Sequence, residues 1–118
     1  MIRKVMDAIY QSVGGLDVHQ ATVVACRRRL IGNGQVELEV KVFKTASADL
    51  RQLRAWLLQW QVTHVAMEST GVYWKPVFNI LEGPLSVLLV NARHIKAVPG
   101  RKTAVRDCAW LADLLRHG

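Results

Sequence analysis

Acidic side chains are scarce in this sequence: nine Asp and Glu stand against sixteen Lys and Arg, leaving a formal net charge of +7. So one-sided a balance excludes an acidic, solvating chain and favours a polyanionic partner, because each Lys or Arg that meets a phosphate releases condensed counterions. Cysteine is scarcer still. Cys26 and Cys108 are far apart and form no C-x-x-C pair, which leaves a zinc cluster or a disulfide scaffold without ligands and makes reduced, part-buried thiols the expectation. No apolar run reaches the roughly 18 residues that span a bilayer as a helix. The opening "MIRKVMDAIYQS" has a basic pair but no apolar stretch or small-residue cleavage site behind it, so a cytoplasmic protein without a secretory signal is expected. What is present is a core: 51% hydrophobic residues and four Trp in 118 residues suit one folded domain and argue against disorder.

Hydrophobic patterning divides the chain into eight elements. "SVGGLDVH" and "ATVVACRRRLI" read as strands. Asn33-Gly34 is a strong hairpin signal, and "VELEVKVF" then alternates Val36, Leu38, Val40 and Val42 against Glu37, Glu39 and Lys41, predicting an antiparallel meander with its charged face in water. "SADLRQLRAWLLQW" places Leu50, Leu53, Leu57 and Trp60 at helical spacing behind Ser47 as N-cap. "THVAME" and "LSVLLV" read as short buried strands. Between them "WKPVFNILE" is a helix whose Pro76 fits only in the first turn and which Gly83-Pro84 ends. After a basic loop, "NARHIKAVPGRK", the segment "AVRDCAWLADLLRHG" reads as a last helix capped by Thr103 and closed by Gly118. The order β-β-β-α-β-α-β-α describes an α/β fold, a mixed sheet with helices packed on it in the ribonuclease H-like topology. Residues 1–12 form an extension to a domain spanning 13–118.

Few acids sit where chemistry can use them. Asp17 lies on the first strand, Glu68 ends the fourth in "AMESTGVYW", and Asp107 falls in the first turns of the last helix. A carboxylate at the lip of a buried strand costs desolvation energy unless a cation pairs with it. Carboxylates on rigid elements suit Mg²⁺ or Mn²⁺, which prefer oxygen ligands, and paired metals can stabilise both the attacking and the leaving oxygen of a phosphodiester. Spacing alone leaves a chance triad open.

Taken together, "GLDVH", "AMESTGVYW", "VNARHIKAVPGRKT" and "DCAWLADLLRHG" closely resemble the N-terminal RuvC-like DEDD domain of the IS one-ten (IS110) family of bacterial insertion-sequence transposases, relatives of the pilin-gene invertase. The resemblance runs from about Val13 to Gly118. It implies DNA transposition and recombination by metal-dependent phosphodiester strand exchange, with DNA, a structured guide RNA and further protomers as partners. It also implies that Asp17, Glu68 and Asp107 are catalytic metal ligands. One position departs from the family: its pattern has an Asp three residues before the last one, where this chain has Ala104 in "KTAVRD". Residues three apart share a helix face, so an acid there would join Asp107 in the site. Asp113, six positions on, is turned about 240° away. Alanine is a good helix former, so an intact scaffold with an impaired metal site is expected. The family's second domain, which supplies a serine nucleophile, has no counterpart in these 118 residues. The alternative is therefore a non-catalytic nucleic-acid-binding or assembly module derived from such a transposase.

The remaining candidates divide between chemistry and structure. Arg93, Lys96, Arg101, Lys102 and Arg106 crowd the sequence beside Asp107 and are expected to hold a phosphate backbone; Arg27, Arg28 and Arg29 form a second basic run, equally readable as phosphate contact or solvated charge. His19, two residues after Asp17, shares its face on a continuing strand and can tune or orient the metal site, although a packed or surface histidine is the more ordinary reading; His64, His94 and His117 have no ligand spacing. Ser69 is read as a helix cap rather than a nucleophile. Tyr73 and Trp74 can stack on bases but are read chiefly as core aromatics. A sugar-kinase or actin-like phosphotransferase shares the "GLDV" strand, yet "DVHQAT" lacks the glycine turn such a site sets against phosphates.

Overall fold

The structure is a computed structural model that describes residues 12–90. Its strands are β1 (Ser12–Val18), β2 (Thr22–Leu30), β3 (Val36–Lys44), β4 (His64–Ser69) and β5 (Ser86–Val90), with helix α1 (Ser47–Gln59) between β3 and β4 and α2 (Trp74–Leu81) between β4 and β5. They form one five-stranded sheet in the order β3-β2-β1-β4-β5. The β1–β2 and β2–β3 pairs are antiparallel, and the β1–β4 and β4–β5 pairs are parallel. This is the expected mixed sheet; the eighth element, the last helix, lies outside the described residues. Among the described residues no helix is long and apolar enough to cross a membrane.

Alternation along the central strand decides which face holds what. Even positions of β1, Leu16 and Val18, join Val23, Ala25, Phe43, Val65 and Met67 in a core closed by Leu50, Leu53, Trp56 and Leu57 of α1 and by Val77 and Leu81 of α2. Odd positions point the other way, where Val13, Cys26, Ala66 and Asp17 are also buried. Gly14 lies on the helix face, where a Cβ would sit 3.1 Å from Leu57 Cδ2, 3.3 Å from the Cys26 carbonyl oxygen and 3.4 Å from Val65 Cγ2. A methyl group there must push α1 off the sheet, because a packed interior transmits rather than absorbs such a shift. Gly14→Ala is accordingly expected to lower unfolding free energy by about 1–2 kcal/mol in a urea titration, even after the entropy removed from the unfolded chain.

The Asn33-Gly34 signal produces the hairpin. Both residues adopt left-handed backbone (φ 70° and 74°), and the Ile31 N–H donates to the Gln35 carbonyl at 2.8 Å across the turn. Three local expectations are corrected. Ser47 is the first residue of α1 rather than its cap: Ala46 occupies the cap position, without a side-chain hydrogen bond, and its carbonyl accepts from the Leu50 N–H at 3.0 Å. Strand β5 is a sheet edge, so Leu88 and Leu89 are exposed rather than buried. On β3 the alternation is as read, but the faces are exchanged: Val36, Leu38 and Val42 are exposed, while Glu39 faces the helix side and meets Arg27 and Trp56. In α2, Pro76 occupies the first turn and Gly83 (φ 112°) follows the end, as expected. Trp74 and Phe78 pack edge to face at 5.8 Å against the core, so Trp74 is structural, while Tyr73 is exposed.

Candidate metal and nucleic-acid site

Two of the acids singled out in the sequence are neighbours. Asp17 and Glu68, 51 positions apart in the chain, are register partners on the parallel strands β1 and β4. Both are penultimate residues of their strands, at the carboxyl edge of the sheet, on the face opposite the helices. Adjacent parallel strands lie roughly 4.8 Å apart, so the two side chains rise side by side. Asp17 is 6% and Glu68 2% exposed. The next register row on that face carries Gly15, Cys26 and Ala66, all small. Beyond the end of β1, His19 Nε2 lies 3.1 Å from Asp17 Oδ2. His19 makes this contact not as a same-face neighbour on the strand but from a chain that has turned out of it: the His19 N–H donates to the Thr22 carbonyl at 2.9 Å, closing the β1–β2 turn.

Two carboxylates buried side by side repel, and each loses hydration, so positive charge brought to the pair stabilises the arrangement. The donors are hard oxygens, the set that suits Mg²⁺ or Mn²⁺ and not a thiolate metal. The pair is half a site: among the described residues no group of three or more His, Cys, Asp or Glu is placed to hold a metal ion. Asp107, and Ala104 at the departing position, lie outside the described residues, as do Arg93, Lys96, Arg101, Lys102 and Arg106. Ser69 ends β4 with its hydroxyl donating to the Thr70 carbonyl at 3.2 Å, and Tyr73 caps α2 without a side-chain bond, so Ser69 does not cap the helix.

Within the Arg27–Arg29 run the side chains divide: Arg27 and Arg29 face the helices, whereas Arg28, also buried, lies on the opposite face in register with Val13. Arg27 is buried on the helix side, its guanidinium 4.4 Å from the Trp56 ring centroid and 4.3 Å from that of Trp60. It donates to the Trp56 carbonyl at 2.6 Å, to Gln59 Oε1 at 2.8 Å and to Glu39 Oε1 at 2.6 Å. Arg29 stacks on Trp60 at 4.1 Å and pairs with Glu37 at 2.9 Å. Arg27 and Arg29 thus hold the helix to the sheet. The sequence carried a signal for this, since Trp56, Gln59 and Trp60 fall on successive turns, but their meeting with β2 depends on where α1 docks.

A protein-family model described as a transposase, for DEDD enzymes of the IS110 type, matches residues 14–118. A comparison with curated proteins finds no match. Among solved structures, T. thermophilus RuvC in complex with a Holliday junction substrate aligns with 90% of this chain and 92% of that one, at TM-score 0.54 and 13% identity. A second Thermus thermophilus RuvC structure aligns with 72% of this chain and 66% of that one at TM-score 0.52 and 14% identity. The Aquifex aeolicus PPX-GPPA enzyme shares the sheet at TM-score 0.50 and 12% identity, over 71% of this chain but only 37% of its own. This chain thus spans little more than a third of that protein, and identities this low establish a common fold alone.

Proposed function

The chain belongs to the DEDD transposase family of the IS110 type, and on that premise we propose that residues 13–118 form the metal-binding half of a DNA strand-exchange site. The observation that carries this reading is the burial of Asp17 beside Glu68 at the carboxyl edge of two parallel strands, where ligands of α/β sheets bind. Asp17, Glu68 and Asp107 hold Mg²⁺ or Mn²⁺. Such a metal, when bound, supplies charge stabilisation at a phosphodiester in transfer. The chain's own contribution is to fix the two carboxylates on rigid strands, with His19 holding one oxygen of Asp17. Arg93, Lys96, Arg101, Lys102 and Arg106 bind the backbone of DNA, and of a guide RNA, beside that site. The nucleophilic serine comes from outside these 118 residues, and the working unit is an oligomer in the cytoplasm.

Ala104 specifies the test. A calorimetric Mn²⁺ titration of this chain beside its Ala104→Asp variant is expected to show weak binding in the first and at least tenfold tighter binding in the second. Equal, tight binding would make position 104 peripheral and leave three carboxylates sufficient. Absence of binding in both, together with salt-sensitive binding of DNA that ignores metal, would replace this reading with that of a non-catalytic nucleic-acid-binding module.

A further inference from the structure

Strand β3 is the sheet edge farthest from β5, and among the described residues its protection is charge alone, at Glu37, Glu39, Lys41 and Lys44. Nine consecutive residues, Val36–Lys44, pair with β2 in unbroken register, with no bulge and no proline, and the outer edge has no partner strand among the described residues. Open edges of this length are usually protected, because their unpaired N–H and C=O groups template another strand. The face turned away from the helices also exposes an apolar row: Val36 is 46% exposed, Leu38 45% and Val42 59%.

The order of side chains along this edge is self-complementary. Antiparallel pairing of "VELEVKVFK" with a second copy, centred on Val40, sets Val40 against Val40, Leu38 against Val42, and Glu39 against Lys41 twice. Neighbouring registers are worse for a definite reason. A two-fold axis normal to the sheet keeps like faces together, so the centre moves one residue at a time. Centring on Glu39 or Lys41 opposes like charges on the axis, the Glu39 register gaining only Glu37 opposite Lys41, where Glu37 is already held by Arg29, and centring on Leu38 opposes Glu37 to Glu39 twice. Centring on Val42 loses the Glu39–Lys41 match and runs past the strand end. Directly opposed unlike charges and apolar pairs stabilise an antiparallel ladder, whereas like charges weaken it. Glu39 has the capacity for the extra contact: Oε1 accepts from Arg27 and Trp56, while its side chain remains half exposed.

We infer that β3 is an isologous interface, joining two copies of this chain edge to edge into one ten-stranded sheet centred on Val40. The closed two-fold pairing satisfies the edge and covers the Leu38–Val42 row. It is independent of metal binding at Asp17 and Glu68.

The test joins sedimentation to site-directed cross-linking on the whole chain with Cys108→Ser. Opposed Cα atoms in an antiparallel pair lie about 4.5–5.5 Å apart, within disulfide reach. Val40→Cys is expected to cross-link with itself under mild oxidation. Leu38→Cys and Val42→Cys are expected to cross-link when mixed but not separately. The unaltered chain should sediment as a monomer–dimer equilibrium, and Lys41→Glu should weaken it about tenfold with an unchanged circular dichroism spectrum. Sedimentation as a monomer at every concentration would overturn the inference. So would a dimer in which Val42→Cys alone cross-links as well as Val40→Cys, since that reports collision or another register.

Discussion

Asp17→Asn, introduced beside Ala104→Asp, lowers Mn²⁺ affinity by about two orders of magnitude or more, while the melting temperature of the metal-free chain rises by ~4 °C. Both effects follow from one geometry. Asp17 and Glu68 are register partners, nearly fully buried, on the same face of a sheet. A cation bound there would offset the repulsion between two carboxylates that share one buried register row, one of them already contacted by His19. Asn keeps the shape and can still accept from His19, so removing one charge relieves the repulsion and stabilises the empty fold by roughly 1 kcal/mol, the usual trade between a functional site and stability. Calorimetry and thermal unfolding in chelator measure the two readouts. An unchanged Mn²⁺ affinity would remove Asp17 from the site, and a lowered melting temperature would show that its charge is satisfied by the protein itself.

Arg27→Ala is expected to cost about 3–5 kcal/mol of unfolding free energy, much of the 5–15 kcal/mol that a domain of this size possesses. The truncation removes the donor to the buried Trp56 carbonyl and to Gln59 and opens a void beside two indole rings, while Glu39, half exposed, keeps its bond from Trp56 and regains water. Because the loss arises from stranding partners more than from the pair's net worth, Arg27→Met combined with Glu39→Leu should recover most of it. Urea unfolding of the two variants separates the explanations. Equal losses in both would mean that the charge pair itself, and not the packing around it, carries the stability.

The topology was legible because each element announced itself through a separate physical signal: the Asn33-Gly34 turn, the Leu50–Leu53–Leu57 spacing, and Pro76 and Gly83 around α2. The pairing of Asp17 with Glu68 needed more, since their separation of 51 residues hides the register of a parallel pair, and only resemblance to a family placed them together. The errors share one cause. Periodicity says that Val36, Leu38 and Val42 lie on one face and Glu37, Glu39 and Lys41 on the other, but which face meets the helix is a tertiary outcome. Here Arg27, wedged between Trp56 and Trp60, draws Glu39 inward and turns the apolar row outward. The arginine run misled for the same reason, because a long cation beside tryptophans is as much packing material as charge.

The ion pairs of Arg27 and Arg29 also redistribute the electrostatics. Across residues 12–90 eight cations face six acids, a net +2, whereas residues 91–118 carry six cations and two acids, a net +4 in a third of the length. With two of the eight paired to Glu39 and Glu37, six cations and four acids remain, so this stretch keeps its net +2, half the charge that residues 91–118 offer an approaching phosphate chain. The slope of binding against salt concentration should therefore respond to removing Lys96, Arg101 or Lys102 and ignore removal of Arg29. The chain's long-range attraction and its rigid frame are thus written in different stretches of the sequence, and each can change without the other.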